Sequence, residues 1–259
     1  MRGTNGARLT TGVACLALAL SACSSGGGGG SARSSTLAAV SATSGGTATV
    51  KGAEPQNPLY PADTVDPGGT AIIQRLFRGL VRYDAKGKAV DEVAESIRTD
   101  DHRTWTITLQ EGWKFTDGEL VTAKSFVDAW NYGALSTNAQ SSATSFEPIE
   151  GYRDVHPAAP GAAPKAKTMS GLRVVNDLRF TVTLRRPLED FPQRLGQVAF
   201  YPLPKEAFKD KRAYGEHPIG NGPYLLDGEW QHDRRIKLRR NPDFRGPDKA
   251  EHDVLVITL

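Results

Sequence analysis

Cysteine is scarce in this sequence. The chain of 259 residues has two, Cys15 and Cys23, and both precede residue 24. Residues 24–259 therefore contain no thiol, which excludes a disulfide framework, a thiolate metal site and a cysteine nucleophile in that part of the chain. Its stability must come from a hydrophobic core, and a chain of this length can build one.

An excess of charge of either sign is also absent. The sequence has 32 lysines and arginines against 29 aspartates and glutamates, a net charge of +3. Two of the basic residues, Arg2 and Arg8, belong to the N-terminal segment, and without them the net charge falls to about +1. No stretch interleaves basic residues with aromatics as nucleic-acid-binding surfaces do. Nucleic acid is therefore not an expected partner.

Recognisable catalytic patterns are lacking. The sequence contains no G-x-S-x-G elbow, P-loop or paired-carboxylate arrangement. Its histidines are scattered, with no pair at metal-ligand spacing on a helix. They are His102, His156, His217, His232 and His252. In the adjacent pairs His232-Asp233 and His252-Asp253, neighbouring side chains on a strand or loop point apart. We expect no enzyme activity, no metal site and no cofactor.

A run long enough to cross a membrane is lacking too. The apolar stretch Val13–Leu20 falls short of the ~20 residues that the hydrocarbon core requires. It follows two arginines and leads into Leu20-Ser21-Ala22-Cys23, which has the form of a bacterial lipobox. The pattern predicts a lipoprotein signal peptide over residues 1–22, acylation of Cys23, and anchoring at the extracytoplasmic face of the cell membrane. The alternative is an ordinary secretory signal with a chance cysteine.

Large apolar side chains are rare in the segment that follows, where Leu37 and Val40 are the largest. Residues 24–46 are rich in serine, glycine and alanine, with glycine at every position from 26 to 30. Such a composition cannot bury enough apolar surface to order itself. Residues 23–46 are therefore predicted to form a disordered tether with a reach of about 25 Å, and folded sequence is expected from Thr47 onward.

The first part of the folded sequence mixes helix and strand patterns. Apolar residues at helical spacing between Gly69 and Leu80 predict a helix. Asp84-Ala85-Lys86-Gly87 lies between two short apolar segments and indicates a hairpin turn. Residues Thr104–Leu109 alternate strictly between apolar residues and threonine, which is typical of a half-buried strand.

Further along, Thr122 is a favourable N-cap for a helix, although Ser125 stands where a capping box has an acid. Residues 156–164 are predicted to be an exposed loop. Strands are expected at 172–175, 180–184, 236–238 and 254–259. These elements indicate a mixed α+β or α/β protein. Its large aromatics are favoured as core residues over a ligand platform: Trp105, Trp113, Phe115 and Trp130.

Three segments together resemble a known family. Thr104–Trp130 reads TWTITLQEGWKFTDGELVTAKSFVDAW, and it resembles the signature of the family-5 extracytoplasmic solute-binding proteins of peptide and nickel ABC importers. Pro218–Tyr224 resembles that family's G-[TN]-G-P-Y segment, and Arg240–Phe244 its R-N-P-x-[YF] segment. Arg245 departs from the pattern, because many members have tryptophan there.

The resemblance implies a type II clamshell of the periplasmic-binding-protein kind. Residues 47–77 and 171–259 would form lobe I, and residues 78–170 a small second domain. Members are about twice as long and add an opposing lobe that closes over the ligand. That lobe is missing here, so the resemblance predicts a truncated chain.

The resemblance also implies a ligand and partners. The expected ligand is an oligopeptide, although a nickel chelate or a sugar stays open, and the expected partners are ABC permease subunits in the membrane. The first-lobe ligand segment maps onto Val65, Asp66, Pro67 and Gly68, whose backbone would pair with the peptide. Asp66 is either a partner for the peptide's amino terminus or, as favoured, a solvated turn residue. The alternative function is that of a surface interaction or peptide-sensing lipoprotein.

Overall fold

The computed structural model describes residues 45–259, which contain strands and helices throughout. The strands are β1 (Thr47–Lys51), β2 (Val81–Tyr83), β3 (Ala89–Asp91), β4 (Ala94–Arg98), β5 (Thr104–Leu109), β6 (Leu172–Asn176), β7 (Arg179–Thr183), β8 (Tyr224–Leu226), β9 (Arg235–Arg240) and β10 (Val254–Thr258). The α-helices are α1 (Pro67–Leu76), α2 (Ala123–Ala134), α3 (Tyr152–Val155), α4 (Phe191–Arg194) and α5 (Lys211–Glu216). The remaining helical segments are short 3-10 turns at Ser136–Asn138, Ala143–Phe146, Val198–Phe200 and Lys205–Phe208.

Two four-stranded sheets and one hairpin organise these strands. The first sheet has the order β1-β10-β9-β8, and β1 runs parallel to β10 while the other pairs are antiparallel. The second sheet has the order β4-β5-β7-β6 and is antiparallel throughout. Strands β2 and β3 form the hairpin predicted around Asp84, whose Oδ1 accepts the amides of Lys86 and Lys88.

Sheet pairing bears on the predicted domain division. Strands β6 and β7 lie in residues 171–259, which the sequence assigns to lobe I. In the structure, however, β7 pairs with β5 over Thr104–Thr108, and β6 pairs with β7. The 170/171 boundary therefore separates two halves of one sheet. The division into residues 47–77 with 171–259, and 78–170, stays a prediction. The pairing groups β6 and β7 with β4 and β5 of the predicted second domain and not with lobe I.

Helix α1 is shorter at its end than its apolar pattern predicts. It begins at Pro67, a residue whose fixed φ suits the first helical position, and it ends at Leu76. The next residue, Phe77, is extended with φ −128° and ψ 159°, so the helix predicted to reach Leu80 is wrong in its last turn. Phe77 and Leu80 are still fully buried, because the extended segment itself runs through the core.

Helix α2 begins as predicted after Thr122. The Ser125 hydroxyl accepts the Thr122 amide at 3.1 Å, so serine supplies the returning contact that an acid makes in the usual capping box. Phe126 and Trp130 on the buried face of this helix pack against β7, with Phe126 stacked on Phe180 at 5.9 Å and Trp130 edge-on to the same ring at 5.6 Å.

The core assignment of the large aromatics is confirmed. Trp105 and Trp113 are 4% exposed, Phe115 is 2% exposed, and Trp130 is fully buried. The strand predicted at Thr104–Leu109 has those bounds, with Trp105, Ile107 and Leu109 turned inward. Residues 158–163 form an exposed loop, as predicted.

The predicted tether and the folded body meet two residues earlier than expected. Gly45 donates its amide to the Glu251 carbonyl at 2.8 Å, and the Asp253 amide donates to the Gly46 carbonyl at 2.9 Å. Folded sequence therefore includes Gly45 and Gly46. The predicted signal peptide, Cys23 and the rest of the tether lie outside the described residues and stay predictions. Within residues 45–259, no helix is both long and apolar enough to cross a membrane.

Candidate functional site

The predicted ligand segment lies at the entry to α1. Val65 is 57% exposed, whereas its neighbours Thr64 and Asp66 are 1% and 7% exposed. Thr64 is fixed in the interior, since both its amide and its hydroxyl donate to the Tyr60 carbonyl at 3.0 Å. The chain therefore rises to the surface at one residue and is fixed in the interior on both sides of it.

Asp66 is the N-cap of α1. Its Oδ1 accepts the Gly69 amide at 2.8 Å, and its Oδ2 accepts the Gln56 amide at 3.3 Å. The first bond satisfies a donor at the helix start, and the second ties the segment after β1 to the helix. The interpretation of Asp66 as a solvated turn residue is wrong, because the side chain is buried and both of its oxygens are engaged.

Gly68 is set by a close approach of two backbone segments. A Cβ at this position would lie 2.5 Å from the Ala53 carbonyl oxygen. Only glycine lets the first turn of α1 pack this tightly against the segment after β1. The Val65–Gly68 segment is thus fixed by a cap, a proline and a backbone contact.

The backbone of Val65 makes no internal hydrogen bond in the described part of the chain. Among residues 45–259, no hydrogen bond involves the Val65 amide or its carbonyl. An exposed residue with both groups unused offers one donor and one acceptor to an extended ligand. Because the flanking residues are anchored, these groups are held in place before any ligand arrives, which reduces the entropy cost of binding.

The Gly220-Asn221-Gly222 stretch joins this helix to the rest of the fold. Asn221 is 1% exposed, and its side chain accepts the Arg78 amide at 2.8 Å and donates to the Arg78 carbonyl at 3.0 Å. The Gly222 amide donates to the Leu76 carbonyl at 2.8 Å. The sequence indicated a tight turn into a strand; the structure adds that this turn holds the end of α1.

Beyond the end of α1 lies a cleft of about 620 Å³ that sequence reasoning missed. Glu92 lines it with a side chain that is 1% exposed, and Arg78 Nε lies 3.1 Å from its Oε1. Burial raises the pKa of the Glu92 carboxyl to about 7, against the opposing effect of Arg78. The residue type of Glu92 does not indicate burial, because glutamate is almost never fully buried unless it is paired.

The histidines do not converge on a site. His232 lies between two carboxylates, with Nδ1 2.8 Å from Glu54 and Nε2 2.9 Å from Glu216. The pKa of His232 is raised, mainly by the hydrogen bond to Glu54 and further by the one to Glu216. Both bonds favour the charged imidazolium, which can donate to the two carboxylates at once. In the described part of the chain, no group of three or more histidine, cysteine, aspartate or glutamate residues could hold a metal ion.

Comparison with known families identifies the scaffold. A model for bacterial extracellular solute-binding proteins, family 5 Middle, matches residues 88–259, more than half of the chain. The chain belongs to this family. Within family 5, it is 33% identical to the periplasmic oligopeptide-binding protein OppA of Salmonella typhimurium, over 67% of this chain and 32% of the relative. It is 26% identical to the oligopeptide-binding protein OppA of Bacillus subtilis, over 74% of this chain and 35% of the relative.

Solved structures of family-5 proteins share the fold. The murein tripeptide binding protein MppA of Escherichia coli matches with a TM-score of 0.70 and 25% identity, over 82% of this chain and 41% of that structure. OppA of Haemophilus influenzae, in complex with the peptide RPPGFSPFR, matches with a TM-score of 0.71 and 26% identity, over 82% and 41%. The predicted type II fold class is confirmed. The chain spans about a third of the length of the two curated relatives, which it covers to 32% and 35%.

Proposed function

We propose that this chain belongs to the solute-binding component of an ABC importer and that its ligand is an oligopeptide. The component binds the peptide outside the cytoplasm and delivers it to permease subunits in the membrane, without catalysing a reaction on it. The names of the relatives support the ligand class, since two are oligopeptide-binding proteins and one solved relative holds a peptide.

The observation that carries the proposal is the free backbone of Val65. Peptide ligands that extend a sheet edge or a fixed extended segment are bound by main-chain hydrogen bonds, which do not depend on the ligand's side chains. Val65 is 57% exposed and sits between anchored residues, so it suits this mode of recognition. Asp66 and Gly68 act indirectly by holding the Val65 backbone.

The binding test uses trialanine, whose side chains are small and uncharged. Because Val65 offers one open edge rather than an enclosed cavity, we expect a dissociation constant of about 1 mM, equivalent to about −4 kcal/mol. Titration followed by amide chemical shifts should move the resonances of Val65 and Asp66 first. Substitution Val65→Ala keeps the backbone groups and should leave the affinity unchanged, whereas Val65→Pro removes the amide donor and should abolish binding.

A ligand-side control separates backbone pairing from a folding defect in the proline variant. Trialanine methylated on its peptide nitrogens has the same length and charge but no internal amide donors. We expect it to bind the unmodified chain much more weakly than trialanine. If trialanine shifted resonances elsewhere and left Val65 unmoved, the proposed ligand segment would be wrong.

We further propose that Cys23 carries a lipid that anchors the protein to the extracytoplasmic face of the cell membrane. The Leu20-Ser21-Ala22-Cys23 sequence supports this proposal. In cells that process lipoproteins, Cys23→Ser should abolish incorporation of a fatty-acid probe and release the protein from the membrane fraction. Cys15→Ser is the matched control and should leave both unchanged. Probe retained in the Cys23→Ser protein would rule out acylation at this cysteine.

A further inference from the structure

A second cleft, of about 540 Å³, lies between the 3-10 turn Ala143–Phe146 and the segment from β7 through α4. Its wall carries three arginines, Arg185, Arg186 and Arg194, and we call it the arginine cleft. The only acidic residue in its lining is Glu147. The cleft shares no residue with the Val65–Gly68 segment, and its volume lies within the range of about 300–1,000 Å³ found for small-molecule sites.

The charges of the arginine cleft are only partly neutralised by its own surroundings. Glu147 is shared by two arginines, because its Oε1 contacts the Arg153 guanidinium and also lies 3.6 Å from Nη1 of Arg185. Arg194 pairs with Asp190 at 3.1 Å, through a carboxylate that is 57% exposed and therefore well screened. Within residues 45–259, Arg186 has no ion-pair partner. Three arginines against one shared glutamate leave the lining positive.

Uncommitted hydrogen-bond donors face the same space. The Nε of Arg194 is buried and has no hydrogen-bond partner among the described residues. Such a group is costly to leave unpaired, and because the atom is buried, a ligand in the cleft reaches it only when the Arg194 side chain shifts. The hydroxyls of Thr144 and Ser145 also line the cleft, and no hydrogen bond to either is present in the described part of the chain.

This combination suits one chemical class. Guanidinium groups present planar forks of N–H donors that match the oxygens of a phosphate, and they bind it with two parallel hydrogen bonds. Hydroxyl donors complete the coordination of a tetrahedral oxyanion that carries more than one charge. We propose that the arginine cleft binds a phosphate group, supplied either by a small phosphate ester or by the headgroup of an anionic lipid.

The proposal is tested with inorganic pyrophosphate and the full chain carrying Cys23→Ser, so that no acyl group contributes. Calorimetric titration at low ionic strength should show one site whose affinity falls as salt is added. Arg186→Ala should weaken the affinity about tenfold, as expected for the loss of one charge-assisted pair. Arg186→Lys keeps the charge but loses the fork, and should weaken binding less than alanine does.

The matched control is Arg173→Ala, which removes one exposed arginine from β6, outside the arginine cleft. It should leave pyrophosphate affinity unchanged. Sedimentation with vesicles of phosphatidylglycerol or phosphatidylcholine distinguishes the two sources of phosphate. Pyrophosphate binding together with Arg186-dependent binding to phosphatidylglycerol vesicles, and none to phosphatidylcholine vesicles, assigns a lipid headgroup. Pyrophosphate binding without binding to either vesicle assigns a free ester. Absence of pyrophosphate binding, or equal loss in Arg173→Ala and Arg186→Ala, would overturn the proposal.

Discussion

Replacing Trp130 by alanine should lower the free energy of unfolding by about 3–5 kcal/mol, as for large aromatics removed from a packed core. The side chain is fully buried and meets Phe180 and Phe200 edge-on, with ring centroids 5.6 and 5.1 Å away. Its Nε1 also donates to the Phe200 carbonyl at 3.0 Å, so truncation removes a hydrogen bond as well as apolar contact. Denaturant unfolding, compared at an unchanged m value, measures the effect.

Two further variants serve as controls for the Trp130→Ala result. Trp130→Phe keeps most of the apolar volume and loses the hydrogen bond, so its cost should be smaller. Val175→Ala changes a side chain that is 50% exposed and should alter the unfolding free energy by less than about 0.5 kcal/mol. An unchanged denaturation midpoint in Trp130→Ala, together with reduced peptide binding, would show that this tryptophan contacts ligand and is not a core residue.

Gly220→Ala is the second substitution expected to have a large effect. A Cβ at this position would lie 1.9 Å from the Leu76 carbonyl oxygen, and backbone on both sides of the contact leaves no flexible side chain to move away. The end of α1 must therefore separate from the Gly220–Gly222 stretch, which breaks the Asn221 bonds to Arg78. We expect a loss of about 3 kcal/mol or more in unfolding free energy, at the upper end of overpacking effects.

The control for Gly220 is Gly87→Ala in the β2–β3 turn. Gly87 has φ +76°, and an added Cβ would meet nothing within 4 Å. Its substitution carries only the cost of a left-handed backbone, about 1–2 kcal/mol. Thermal unfolding of both variants compares the two effects. A Gly220→Ala protein as stable as Gly87→Ala would show that the α1 end tolerates displacement and that the contact is not restrictive.

Local sequence patterns were sufficient to predict an element where residues within that element determine it. Strand β5 has the bounds that its alternation predicts, because one side of a half-buried strand must be apolar at every second residue. The start of α2 follows from Thr122, since a cap acts on amides within its own first turn. The burial of Trp105 and Trp130 was predictable because each lies on the apolar face of its own strand or helix.

The candidate ligand segment was found by resemblance, and its geometry was not predictable from its residues. Val65 is a β-branched apolar residue, which by itself indicates burial, yet it is the exposed member of its segment. Asp66 has the composition of a surface turn, yet it is buried because the Gln56 amide approaches it from the segment after β1. Glu92 is buried beside Arg78 through contacts that no nearby residue specifies.

The sequence by itself determined the mixed α/β character, most element positions, the aromatic core and the family. Those features depend on periodicity and on motifs within short stretches of chain. The tertiary structure decided that α1 stops at Leu76, that β6 and β7 join β5 in one sheet, and that Asn221 holds the Arg78 backbone. It also brought the three arginines of residues 185–194 against the Ala143–Phe146 turn to form one cleft. These outcomes depend on backbone groups distant in sequence, whose approach is set by packing of the whole chain.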